Sequence, residues 1–127
     1  MRIVTDPQAA SLAAKHASAD DIAHLEAALQ RIRDADAGLD DSLDADIAFF
    51  TALFESTDNR FFIQLTDFVS TALRVTSRYA NRLQGFSINN LAMYEAVFDA
   101  IVQGNSMAAF SLIRNMLDDM MKTVLVD

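Results

Sequence analysis

The chain has 127 residues, of which 52% are hydrophobic and 22% charged, and its formal net charge is −8 at pH 7. So large an excess of negative charge is repelled by a phosphate backbone, which excludes a nucleic-acid-binding module made of these residues alone. No run of about 18 apolar residues marks a membrane span, and no basic and apolar N-terminal segment marks an export signal.

The absence of cysteine fits a reducing compartment. The composition reads as a soluble, cytoplasmic chain forming one domain over residues 1–127, large enough to bury roughly two-thirds of its unfolded surface. Three Gly and one Pro leave few tight turns, while Ala and Leu are plentiful, so long helices and an all-α fold are expected.

In chain order, Pro7 suits the first turn of a helix capped by Asp6 and running to about Lys15 or His16. Its Ala9, Ala10, Leu12 and Ala13 make a thin face for close packing. Ser18 and Asp21 form a capping arrangement for a second helix, in which Ile22, Leu25, Leu29 and Ile32 recur at helical spacing until Gly38. Asp40 or Asp41 can cap a third helix, whose Leu43, Ile47, Phe50, Leu53 and Phe54 form a wide apolar face up to the polar stretch 56–59.

A longer fourth helix is expected from about Arg60 to Leu83, carrying Phe61, Phe62, Leu65, Phe68, Val69, Leu73 and Val75. Residues 84–87 are the main break. Ser87 or Asn89 starts a fifth helix through Ile101, which Gly104 ends. Asn105 or Ser106 then caps a sixth, carrying Ala109, Leu112, Ile113, Met116, Leu117 and Met120. The expected architecture is an antiparallel bundle of about six helices.

The acidic stretch 34–46 is the strongest compositional shift. It reads as a solvated helix–helix connection with N-capping carboxylates, since the glycine and terminal glutamate spacing of a calcium loop is missing. His16 and His24 lie in the first two helices across a break and read as ordinary surface or partly buried residues. No GxSxG elbow, P-loop, HExxH pair, ExxH pair or cysteine nucleophile is present, which argues against an enzyme.

Between positions 46 and 59 the sequence runs DIAFFTALFESTDN. Asp46 is followed three residues on by Phe49, then by Phe50, and nine residues later by Asn59. This resembles the DxxFH…N signature of the FCD domain, the effector-binding half of FadR-type regulators in the GntR family, with Phe50 where the histidine stands. Arg2, Asp6, Pro7, Ala10 and the run Leu12, Ala13, Ala14 resemble the opening helix of the family, and residues 17–25 its second. Tyr94, Val97, Asp99, Ala100 and Ile101 are similar to its HxxIxxAI helix, and Gly104, Asn105, Ala109 and Leu117 to its final one.

The resemblance implies an effector-sensing, dimerising domain of a bacterial transcription regulator, with a winged helix-turn-helix domain outside these residues supplying the DNA contact. The chain is then either a fragment or a stand-alone remnant, and it binds no nucleic acid itself. In the metal-dependent branch of the family, an Asp and three His converge on a divalent metal. Those positions are Asp46, Phe50, Tyr94 and Met116 here. One carboxylate, a phenyl ring, a phenol and a thioether are a poor donor set, so no metal and no cofactor is expected.

An inward Asp46 then needs a new partner, because an isolated carboxylate is costly to bury. Arginine is the obvious one: Arg2 matches the first-helix arginine of the family, and Arg74, Arg78 and Arg82 form an i, i+4, i+8 stripe. That stripe is either a solvated face or the source of a guanidinium that binds an effector carboxylate. The candidate ligand-binding set is Arg2, Asp46, Phe50, Arg74, Arg78, Tyr94 and Met116, for a small organic carboxylate or acyl compound. The alternative is a stand-alone helical dimerisation module whose pocket those large side chains fill.

Overall fold

The computed structural model describes the backbone of residues 2–81 and 91–126, and the side chains of residues 5–75 and 91–118. Among the described residues there are seven helices and no strand: α1 (Arg2–His16), α2 (Ala19–Asp36), α3 (Ser42–Glu55), α4 (Arg60–Ile63), α5 (Thr66–Asn81), α6 (Leu91–Val102) and α7 (Ser106–Val126). They pack as a helical bundle. The central helix α3 lies against α2 on one side and α5 on another, while α6 lies against α7, α2 and α1.

The first helix starts about one turn earlier than the sequence suggests. Pro7 is inside α1 rather than at its start, and Asp6 is fully buried instead of serving as an N-cap. Thr5, Asp6 and Pro7 are all buried, so packing against the bundle holds this turn helical. A proline so near a helix start forfeits only one intrahelical hydrogen bond. Ala9, Ala10, Ala13 and Ala14 then form the expected thin face, buried throughout, and α1 packs most extensively on α7.

Helix α2 begins with a complete capping box. The Ser18 hydroxyl accepts the Asp21 N–H at 3.1 Å, and the Asp21 carboxylate accepts the Ser18 N–H at 2.9 Å. It ends in a Schellman arrangement, with Gly38 at φ +81°, the Gly38 N–H donating to Ala35 O at 3.0 Å and the Leu39 N–H to Asp34 O at 2.7 Å. The left-handed residue there is a glycine because other residues have a Cβ that disfavours it. Gly104 ends α6 in the same way at φ +70°, and the Asn105 side chain caps α7 from the Ala108 N–H at 3.1 Å.

The acidic stretch divides its labour between two neighbours. Asp41 is the N-cap of α3, accepting the Asp44 N–H at 2.9 Å. Asp40 turns back to α2, where Arg31 Nε meets Oδ2 at 2.9 Å and Nη2 meets Oδ1 at 3.2 Å. This fork ties the connection to the helix before it.

The single long fourth helix expected from Arg60 to Leu83 is in fact two helices. The Asn59 side chain caps α4, accepting the Phe61 N–H at 2.9 Å and the Phe62 N–H at 3.4 Å. The chain then tightens, with the Leu65 N–H donating three residues back to Phe62 O at 3.0 Å, before α5 begins. No Gly or Pro marks this break, so nothing in the residue types signals it. Its effect is to let Phe62 meet Phe54 edge to face near the end of α3, with centroids 5.9 Å apart, while Val69 and Leu73 of α5 are buried in the core. The start of α6 proposed at Ser87 or Asn89 lies outside the described residues, as do Arg82 and residues 84–87.

Two outcomes follow. Ser18→Ala removes one half of the capping box and should lower the stability of the domain by about 1 kcal/mol, read from chemical denaturation. The second concerns pH. The Arg31 hydrogen bonds, followed by the Asp41 N–H, hold the Asp40 carboxyl below its ordinary value. A carboxyl lowered in the folded state adds stability above the unfolded value, near pH 4, and this is lost as pH falls through the folded value. The denaturation midpoint of Asp40→Asn should therefore lie below that of the parent at neutral pH and converge with it on the acid side.

Candidate functional site

The site is built from the inward faces of α3 and α6. On α3, Asp46, Phe49, Phe50 and Leu53 recur at i, i+3, i+4 and i+7, which places them on one side of the helix, and all four are buried. On α6, Tyr94, Val97 and Ile101 have the same spacing and are buried as well. A tyrosine is long enough to cross the space between the two helices.

Asp46 is 0% exposed and Tyr94 2% exposed. The Tyr94 hydroxyl donates to Asp46 Oδ1 at 2.8 Å, the ordinary length for an O–H···O bond. Around this pair the rings form a closed set. Phe49 and Tyr94 meet edge to face with centroids 4.9 Å apart, Phe49 and Phe50 at 6.0 Å, and Phe50 and Tyr94 at 6.1 Å. Such contacts add about 0.5–1.5 kcal/mol each beyond the area they bury. A buried polar pair flanked by two phenylalanine rings is a rigid arrangement, since neither group can move without giving up packing or a buried hydrogen bond.

Of the candidate residues named from sequence, Asp46, Phe50 and Tyr94 are brought together. Met116, on α7, is half-buried and packs against the same core. These four positions do not fit a divalent metal. The one carboxylate is already bonded to the phenol, the phenyl ring has no donor atom, and a thioether is a soft ligand. Among the described residues there is no group of three or more His, Cys, Asp and Glu that could hold a metal ion. His16 and His24 are exposed.

Arg74 is exposed on the outer side of α5, with Nη2 at 4.0 Å from Asp44 Oδ1, because the inward side of that helix is taken by Val69 and Leu73. It does not reach the Asp46 cluster. The side chains of Arg2 and Arg78 lie outside the described residues.

Two features of the structure were not foreseen. The hydroxyl of Tyr94 is a partner of Asp46, where sequence reasoning looked to arginine. The clue was available, since a phenol carries a donor on a long side chain. The burial of Asp6, with the Thr5 hydroxyl 3.4 Å from its Oδ1, had a fainter signal in its placement one turn after Arg2.

The family model of the FCD domain matches residues 1–119. The chain is 29% identical over 123 residues to the uncharacterised HTH-type transcriptional regulator YieP of Escherichia coli K12, a match covering 92% of this chain and 50% of that protein. Its fold is similar to that of a GntR of Streptococcus agalactiae, with a TM-score of 0.74 at 21% identity over 94% of this chain and 54% of the other. The chain thus spans about half the length of the relatives it matches. With a family model covering nearly all of its residues and a helical bundle to match, this chain belongs to the FCD domain family.

Proposed function

We propose that this chain is the effector-sensing and dimerising domain of a GntR-type transcription regulator of the FadR subfamily, and that it takes a small organic carboxylate or acyl ligand without a metal. The observation that carries this reading is the Tyr94 to Asp46 hydrogen bond of 2.8 Å. It joins two positions where the metal-dependent branch has ligands, so the polar centre is kept but its chemistry is changed. DNA contact would belong to a separate domain of the full-length regulator, as the HTH-type relative suggests, and the acidic chain itself would bind none.

A ligand entering between α3 and α6 would part the aromatic rings and present a polar group to the Asp46 and Tyr94 pair. A ligand carboxylate would need a guanidinium beside it, which Arg2 would supply. Because α3 also packs against α2 and α5, any ligand that binds one spacing of α3 and α6 better than another would shift the outer surfaces of the domain. That differential affinity is what an effector requires. Catalysis is not part of this reading.

The mutual contact of Phe49, Phe50 and Tyr94 favours a second reading, in which the side chains fill the pocket and the domain only dimerises. A thermal-shift panel of aliphatic and aromatic carboxylates and acyl compounds separates the two. A ligand at about 100 times its Kd should stabilise the fold by about 2.7 kcal/mol, a shift of several degrees for a domain of this size. A flat response across the panel would favour the filled interior. Tyr94→Phe deletes one buried hydrogen bond to Asp46 and should cost about 1–3 kcal/mol in denaturation. Elemental analysis of the purified protein should find no stoichiometric zinc, nickel or manganese.

A further inference from the structure

The core accounts for the inward side of α5 and leaves its outer side to be explained. Phe68 is 40% exposed and Val75 59% exposed, and they lie seven residues apart, so they fall on the same side of the helix. Between them, Thr71 is exposed and Ala72 half-buried. Apolar residues seven apart with small ones between form a seam of the kind that pairs with another helix. On α4, Phe61 at 62% exposed extends the apolar surface.

The charges beside this seam carry the argument further. Asp67 and Arg74 are also seven apart and both exposed, so they mark one edge of the seam with opposite signs. A parallel partner helix would place Asp67 on Asp67 and Arg74 on Arg74. An antiparallel copy, related by a two-fold axis beside Thr71 and Ala72, places Asp67 opposite Arg74 and Phe68 opposite Val75. Each of those contacts is then made twice, as a two-fold interface demands. The small residues at the axis let the backbones approach.

Net charge points to the same face. The described side chains of residues 60–75 include two arginines and one aspartate, which leaves this face close to neutral in a chain whose net charge is −8, so two copies repel each other less here than across an acidic face. Among the described residues, Arg74 meets Asp44 at 4.0 Å, an exposed pair at the limit of an ion-pair distance that holds the guanidinium weakly.

We propose that the outer face of α5, centred on Thr71 and Ala72, is the docking surface for a second copy of this chain, paired antiparallel through Phe68 to Val75 and Asp67 to Arg74 contacts. The inference rests on the homodimer reading given above and names the surface it would use.

Sedimentation equilibrium of the 127-residue chain tests it, with circular dichroism to confirm that each variant is folded. The parent should be a dimer. Arg74→Glu and Asp67→Arg each create two like-charge contacts per dimer and should each weaken association about tenfold or more. The double variant, with Asp67→Arg and Arg74→Glu together, should return to within about threefold of the parent, a recovery that loss of the Asp44 contact or of an acidic first turn in α5 would not produce. Val75→Asp should leave monomers. A parent that is monomeric at every concentration overturns both the homodimer reading and this one. A dimeric parent whose association ignores the charge reversals and Val75→Asp overturns this inference alone.

Discussion

The Asp46 carboxyl group lies on the inward side of α3, out of contact with water, and accepts the Tyr94 hydroxyl across the bundle. The rest of the interior has to be compatible with that pair. A buried carboxyl group needs hydrogen-bond donors, and a tyrosine that supplies one must be held at a fixed reach from α6. The edge-to-face contacts with Phe49 and Phe50 fix its ring, and the placement of α6 against α2 and α7 fixes its backbone. Packing and polarity therefore specify the same geometry, which is the condition for one well-defined core rather than several near-equivalent ones.

This arrangement differs from a metal centre in a specific way. A metal draws its ligands together through coordination bonds, and removing it leaves like charges and lone pairs facing one another. Here Asp46 and Tyr94 are joined by a hydrogen bond, and Phe50 meets Tyr94 edge to face. An effector would have to compete with the existing contacts rather than add to an open coordination sphere. Its affinity would be reduced by the cost of separating the rings, and that cost is also what would couple its binding to movement of α3.

Much of the fold was legible in the residues, for local reasons. The Ser18 and Asp21 box, the Gly38 and Gly104 terminators and the Asn105 cap are decided within a few residues of chain, and each stands where the sequence places it. What could not be read there depends on tertiary packing. The early start of α1 follows from burial of Thr5, Asp6 and Pro7, and the break between α4 and α5 has no Gly or Pro to announce it. At the site, resemblance located Asp46, Phe50, Tyr94 and Met116, and donor chemistry argued against a metal. Periodicity left the outer stripe of α5 ambiguous, and only the burial of Val69 and Leu73 decides that Arg74 faces outward.

The two ends of the core differ in the size of their parts. Where α1 meets α7, the buried residues of α1 are Ala9, Ala10, Ala13 and Ala14. Around Asp46 the space is held by large rings. One region is thus vulnerable to atoms gained and the other to atoms lost. Sequence drift in this domain would follow that division, with side-chain volume exchanged among the aromatic positions and almost none admitted along the alanine face.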